Sequence, residues 1–317
     1  MKTGEKYPKD FPEFLEQFKD EEACRKYLFE VRWPSGFHCP QCDSEVKNWV
    51  TAKNLIHCGI CGHQTSLTSG TLFHGTRKPL LFWFRVIWWI VAQKTGVSAS
   101  NMTDFMGFGS YKTAWAWLQK IRMEMERTFS EKLSGMVEVD EFFLGGSEND
   151  TKGNGREVEK KLVAVATECI GRKIGRVRFR CIDAVTAENL IPFIQDNVLQ
   201  GSKIITNDRV GYDFLNLKSK DLDSVYTLEV KTLLANNNKS RALLPHVRLV
   251  YSLLQRWLFG THQGRVSTKY LPYYLHEFAF RFNRKLLTCN GELFYKLIQK
   301  SIEIVPVSKI DTDGKST

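Results

Sequence analysis

Cys39, Cys42, Cys58 and Cys61 form two Cys-x-x-Cys pairs, CPQC and CGIC, with fifteen residues between them. No other feature restricts the folding of this chain as strongly. Four thiolates at this spacing close a tetrahedral zinc site, and the metal lets a short segment with little core of its own fold. Pro40 inside the first pair and Gly62 after the second suit the tight knuckle turns that aim two sulfurs at one ion. The other cysteines, Cys24, Cys169, Cys181 and Cys289, are scattered, as expected in a reducing cytosol rather than in a disulfide framework. A zinc ribbon either props up a fold or presents a surface to nucleic acid or a partner, and the two roles are compatible.

Charge narrows the partner. The 317 residues carry 45 Lys and Arg against 35 Asp and Glu, a formal net charge of +10. Such a balance favours a polyanion but does not separate DNA from RNA or from an anionic membrane. The N-terminus, MKTGEKYPKDFPEF, has no apolar stretch of the signal-peptide kind. The most apolar run, PLLFWFRVIWWIVA at 79–92, contains Arg85 and is too short to span a bilayer. It reads as a buried helix, and the expectation is a soluble cytoplasmic protein with no membrane partner.

Periodicity divides the chain into modules. Residues 10–33 carry Phe14, Leu15, Phe18, Tyr27, Leu28 and Val31 at helical spacing, and Trp33-Pro34 ends the segment, giving an N-terminal helix within 1–35. The ribbon follows at 36–75, with short strands expected around 49–51 and 63–67. Residues 76–130 read as three helical pieces. Pro79 opens the first, Ser98 is a candidate N-cap for the second, Gly107 and Gly109 break the chain, and 111–126 forms the third. Short helix, tight turn and longer helix is the helix-turn-helix outline, although a plain three-helix packing unit has the same pattern. Lys112, Lys120 and Arg122 are its candidate DNA contacts.

After Gly135 the pattern changes to strands. MVEVDEFFL (136–144), 162–169 and RVRFRCI (176–182) are followed by a helix at 186–198, a short buried strand at 203–206 and another strand at 224–230. Helices fill the remainder. Three strands, a helix, a strand and then mixed elements is the order of a ribonuclease-H-like α/β core, assigned here to 131–305. The polar stretch 151–161 reads as an exposed hairpin loop, and 306–317 as a disordered tail.

Two carboxylates stand out in this order. Asp140 sits in the first apolar strand, and Asp208 follows the fourth. A carboxylate on a core strand is costly to bury unless a metal or a hydrogen-bond network holds it. Two of them from neighbouring strands suit a hard divalent cation. Either one alone is equally well read as a solvent-facing edge residue or a turn cap.

Five segments, VEVDEFFLGG (137–146), KLVAVATECIGRKIGRVRFR (161–180), GSKIITNDRVGYDFL (201–215), SLLQRWLFGTHQGRVSTKYL (252–271) and YLHEFAFRFNRK (274–285), resemble the integrase-type domain of bacterial insertion-sequence transposases of the Merlin-related, ISXO-like group. The resemblance extends over nearly the whole chain, because those proteins also carry an N-terminal Cys-x-x-Cys ribbon. It implies a DDE-type transposase with a ribonuclease-H-like core. Asp140 and Asp208 are then the first two catalytic carboxylates, binding Mg²⁺ or Mn²⁺. The implied partners are the transposon ends and target DNA, with a homodimer to process two ends together.

The chain departs from the family at the third metal position. There an Asn, Glu or His lies seven residues before a Lys, whereas this chain has Arg248 and Gln255. A guanidinium has no lone pair for a metal. The turn usually written Thr-Asp-Gly is Asn207-Asp208-Arg209 here. His246 and Glu277 are the candidate replacements, Glu277 being the one carried as third catalytic residue, with an ion pair to Arg281 four residues on as its competing role. An inactive, domesticated copy that still binds DNA is the alternative. His262 and Arg265 in a Gly-bounded loop, and Arg281, Arg284 and Lys285 at a helix end, complete the candidate DNA contacts.

Overall fold

The computed structural model describes residues 7–45, 48–50, 55–128, 131–144, 160–207, 226–231, 244–262 and 266–303. The chain forms two compact units, Met1–Thr128 with Leu286–Thr317, and Phe129–Lys285. The expected hairpin loop at 151–161 and the tail after 306 fall almost wholly outside the described residues.

The first unit begins with two helices, α1 (Phe11–Gln17) and α2 (Glu21–Arg32), in place of the single helix expected over 10–33. The reason is local. Asp10 and Asp20 each accept a backbone N–H three residues on, from Glu13 at 3.0 Å and Ala23 at 2.8 Å. A short acidic side chain is worth more as an N-cap than inside a helix. A three-stranded antiparallel sheet follows, with β1 (Asn48–Val50), β2 (Leu55–Cys58) and β3 (Gln64–Ser66) in sequential order.

The helices α3 (Leu80–Ala92), α4 (Ala99–Met106) and α5 (Tyr111–Thr128) come next. The apolar run is indeed a buried helix, with Phe84, Val86, Ile87, Ile90 and Val91 sealed from solvent. Pro79 offers α3 no side-chain cap, and the Glu21 carboxylate supplies one by accepting the N–H groups of Leu80 and Leu81 at 3.0 Å each. Ser98 caps α4 through Asn101 N–H at 3.1 Å, and Gly107 ends it in the left-handed region at φ 68°. No helix among the described residues is long and apolar enough to cross a membrane.

The C-terminal helix, Asn290–Ile302, packs in this first unit against α2, α3 and α5. Its Phe294 completes an aromatic cluster with Phe14, Phe18, Phe84 and Trp88, ring centroids 5.6 to 5.8 Å away. The segmentation read from sequence ran the catalytic region to 305, because nothing in linear order signals that the chain returns.

The second unit is a mixed α/β layer structure. Its strands are β4 (Met136–Leu144), β5 (Lys161–Ile170), β6 (Lys173–Ile182), β7 (Lys203–Asn207) and β8 (Thr227–Lys231), in the order β6-β5-β4-β7-β8. The first three form an antiparallel meander, whereas β7 runs parallel to β4 and β8 parallel to β7. α6 (Ala187–Asn197) covers one face, where Val137, Val139, Ala164, Ala166 and Ile204 meet Leu190, Phe193 and Ile194. α7 (Pro245–His262) and α8 (Leu271–Asn283) cover the other, where Val163, Val165 and Ile205 meet Val247, Val250, Leu254, Leu275 and Phe278. β5, covered on both faces, reads as a continuous apolar run rather than an alternation.

The β5–β6 ladder slips between Thr167 and Cys169. Glu168 at this bulge accepts the N–H groups of Ser134 and Arg176 at 3.1 Å each and the Arg176 guanidinium at 2.8 Å. A Cβ on Gly175 would lie 2.5 Å from Glu168 Oε2, so any side chain there would push Glu168 from its place. Asn283, at the end of α8, continues the ladder by accepting Val177 N–H at 2.9 Å and donating to Val177 O at 3.2 Å.

Burial pushes the Glu168 carboxyl up, but hydrogen bonds from Arg176 and Ser134 outweigh it and hold the group down at about 2, from an ordinary 4.5. The folded value is the lower one, so the stabilisation is complete above pH 4.5 and is lost as pH falls towards 2. Urea midpoints measured across that window will fall steeply with acid in the wild type and less steeply in Glu168→Gln. Parallel slopes would refute the assignment.

Candidate functional site

The ribbon is assembled from two copies of one turn. In the first, Asp43 N–H bonds Cys39 O at 2.8 Å and Cys39 N–H bonds Ser44 O at 3.2 Å. In the second, Gly62 N–H bonds Cys58 O at 3.1 Å and Cys58 N–H bonds His63 O at 2.9 Å. The residue after each second cysteine is left-handed, Asp43 at φ 54° and Gly62 at φ 74°. Gly enters that region freely, and Asp is among the few side chains that tolerate it.

The turns bring all four sulfurs within 4.8 Å of one another, with Cys39–Cys61 at 3.6 Å and Cys42–Cys58 at 3.7 Å. A tetrahedral ion with Zn–S bonds of about 2.3 Å sets its sulfurs roughly 3.8 Å apart. The cage therefore fits structural zinc. Ser44 Oγ lies 3.2 Å from Cys42 Sγ and 3.3 Å from Cys58 Sγ, and its hydrogen bond leads the contacts that pull the Cys58 thiol down, whereas at Cys61 the His63 N–H is outweighed by burial and the neighbouring sulfurs, which push the thiol up. The Arg32 guanidinium ties α2 to the end of the ribbon by donating to the carbonyls of Ser66, Leu67 and Ser69.

In the second unit Glu138, Asp140 and Phe142 alternate along β4 and face α7. Asp140 is half-buried, and its Oδ1 accepts Asn207 Nδ2 at 2.7 Å and Glu141 N–H at 3.0 Å. Asn207 ends β7, beside β4. Its own Oδ1 is buried and meets no donor among the described residues. The Asn207 amide at the end of β7 thus holds the Asp140 carboxylate of the neighbouring strand, a hard oxygen ligand of the kind a divalent cation takes. Asp208 lies outside the described residues, and among those described no group of three potential ligands includes Asp140.

Glu138 does a different task. It is 2% exposed, its Oε2 accepts the N–H groups of His246 and Val247 at 2.9 and 3.0 Å, and its Oε1 lies 2.8 Å from His246 Nδ1. The strand that carries Asp140 thereby caps the first turn of α7 and fixes that helix over the sheet. Cys169 Sγ joins the group 3.5 Å from the same ring nitrogen. Nδ1 of His246 is committed to Glu138, which leaves Nε2 as the ring nitrogen that a metal could use. Glu138→Ala leaves two buried donors without acceptors and is expected to cost about 3 kcal/mol in urea unfolding. Glu138→Gln, which keeps one acceptor oxygen, is expected to cost roughly half that.

Several sequence expectations are corrected. Glu277 is fully buried, and its Oε1 accepts Arg281 Nε at 2.9 Å and Nη2 at 2.7 Å. It lies on α8, which packs along β6 at the sheet edge opposite β7 and β8. The competing ion-pair role prevails for both residues: a carboxylate and a guanidinium sealed together serve neither as third metal ligand nor as phosphate contact. Arg122 is only 1% exposed and donates to Val97 O at 3.2 Å, so it is a core residue and not a DNA contact. The half-buried His262 ring packs against Trp257 and Tyr274, centroids 5.0 and 4.5 Å away.

Other candidates keep their access. Lys112 is exposed at the start of α5, and Lys120 and Arg284 are half-buried. Lys285 is exposed, with its ammonium 2.7 Å from Ile174 O and 3.9 Å from the Phe282 ring centre. Arg265 lies outside the described residues. Arg248 is exposed on α7, and Gln255 donates to Tyr251 Oη at 2.7 Å. The Tyr251 ring stands 4.5 Å from that of Phe142, two residues beyond Asp140. Sequence reading missed the Asn207–Asp140 bond, the Glu138 cap and the Asn283 bridge. Only Glu138 left a trace, its parity with Asp140 on β4.

Two protein-family models match the chain. Residues 132–283 match the ISXO2-like transposase domain, and residues 19–64 match the transposase zinc-ribbon domain. A search of curated proteins finds no match.

Proposed function

We propose that this chain, which belongs to the ISXO2-like transposases with a transposase zinc ribbon, binds the terminal inverted repeats of an insertion sequence and cuts and joins DNA at those ends. The observation that carries the reading is Asp140 on the central strand of the sheet, bonded to the end of β7 inside the matched transposase domain. The sheet order β6-β5-β4-β7-β8, an antiparallel meander extended by two parallel strands, supports a ribonuclease-H-like core. In such a core the first carboxylate stands on the first strand and the second follows the fourth, the places of Asp140 and Asp208 in this sequence.

Mg²⁺ or Mn²⁺ bound at these carboxylates supplies nucleophile activation and leaving-group stabilisation in phosphodiester attack. The protein's part is positional. Asn207 and the Glu141 N–H hold the Asp140 carboxylate in one orientation. The Glu138 cap holds α7 against the strand that bears Asp140. In the first unit the ribbon and the α4–α5 pair recognise the ends, with Lys112 and Lys120 as phosphate contacts. Two ends are processed together, which calls for a homodimer.

A second reading rests on a specific departure. Arg248 stands where the family carries a metal ligand, which favours a DNA-binding descendant without strand transfer. Incubating the purified chain with Mn²⁺ or Mg²⁺ and a DNA fragment bearing the element's own ends separates the two. Nicked and joined products support the transposase. Tight, salt-sensitive end binding with no product supports the descendant.

A further inference from the structure

We propose that Asn207 is itself a metal ligand, its carboxamide Oδ1 acting with Asp140 as a neutral hard-oxygen donor to the divalent cation. This rests on reading Asp140 as a metal-binding carboxylate and adds a residue to that site. Three observations carry it. The first is orientation. An ionised carboxylate only accepts, so the 2.7 Å contact with Asp140 Oδ1 fixes the Asn207 amide with Nδ2 towards Asp140 and Oδ1 turned the other way.

The second is the vacancy in bonding this creates. Asn207 Oδ1 is buried yet accepts no hydrogen bond from the described residues. Buried polar atoms are nearly always satisfied, and an orphan at a charged site calls for a bound water or ion. The third is position. β4 and β7 are parallel, with Glu138 opposite Ile205, and two residues further along each strand reach Asp140 and Asn207 on the same face. Asn207 ends its strand, and ligands of open α/β sheets collect beyond the carboxyl ends of strands.

Carboxamide oxygens are ordinary ligands of hard divalent ions. An Asn here also makes chemical sense of Arg248. With a cation where the family has a metal-binding side chain, α7 provides no donor at that position, and a donor from β7 offsets the loss without adding charge beside Asp140.

The test uses the full-length chain with its ribbon loaded with zinc. Mn²⁺ binding, followed by electron paramagnetic resonance, is expected to fall at least tenfold in Asp140→Ala and in Asn207→Leu. Asn207→Cys places a soft sulfur at the same point, and adding Co²⁺ is expected to give a thiolate-to-cobalt absorption band. That band will be absent from the wild type and from Asp140→Ala/Asn207→Cys. A purely structural Asn207 would not produce it.

Mn²⁺ binding that Asp140→Ala does not weaken would overturn the reading of Asp140 and this inference with it. Binding weakened by Asp140→Ala, with Co²⁺ bound to Asn207→Cys and no sulfur band, would overturn this inference alone. If the Cys variant does not fold, Asn207→Asp serves instead. Two adjacent carboxylates repel until a cation joins them, so Mn²⁺ should raise its Tm by more than it raises that of the wild type, and an equal rise would refute the ligand.

Discussion

Cys58→Ser will leave the chain without ribbon zinc and with its ribbon unfolded. The metal content measured by mass spectrometry is expected to fall from about one zinc per chain to near zero, because a neutral hydroxyl does not replace a thiolate in a Cys₄ cage. The size of the effect follows from how little else holds this segment. Its buried cluster is Phe37, Cys39, Ile56 and Cys58, with Phe29 and Trp33 packed beside it, so two of the four buried members are themselves metal ligands. The strands are three, four and three residues long. Such a sheet is not stable alone, whereas structural zinc contributes roughly 10–16 kcal/mol of apparent binding energy to small domains. Limited proteolysis will open the region around residues 36–73 in the variant and after chelation of the wild type. Cys289→Ser, far from the cage in sequence, is the matched control. Zinc retained at full stoichiometry by Cys58→Ser would mean that the ion is held elsewhere.

The cage was legible in the sequence because each half of it is local: two cysteines and one left-handed residue specify a turn whatever surrounds it. The meander was legible for a related reason. The expected strand at 136–144 coincides with β4, and β5 exceeds its expected span by one residue at each end. β6 starts three residues earlier than its alternation implies, because the bulge opposite Glu168 breaks the period at Gly175 and Arg176.

The misread residues share one cause: charge was read as exposure. Arg122 follows Leu118 by four positions and precedes Met125 by three, so the helical period places it on the same buried stripe of α5. Arg281 follows Phe278 by three and Glu277 by four, which made the buried pair available from spacing alone. By contrast, the Glu138 cap spans 108 positions of sequence and the Asn283 bridge 106, and no local pattern reports contacts of that range.

Asp140→Ala is expected to abolish nicking and strand transfer while leaving end binding and zinc content unchanged. If the carboxylate holds the cation, its removal forfeits several kcal/mol of charge stabilisation in the transition state, a loss of about three orders of magnitude or more in rate. The fold will tolerate the change, because Asp140 is only half-buried, and the Asn207 amide and the Glu141 N–H that bond it stand at a strand end and on its own backbone. Binding will tolerate it because the proposed DNA contacts are elsewhere. Loss of both steps by the same factor is the signature of one shared metal site. Residual activity within tenfold of the wild type would remove Asp140 from the chemistry.

The complementary change is Arg248→Glu. Arg248 is exposed on α7, so exchanging it disturbs little packing, and Glu places an acidic donor at the position that the proposed reading assigns to a metal ligand. Cleavage in Mg²⁺ should rise by about tenfold, equivalent to ~1.4 kcal/mol of barrier. An unchanged rate would mean that the cation site functions without a donor from α7.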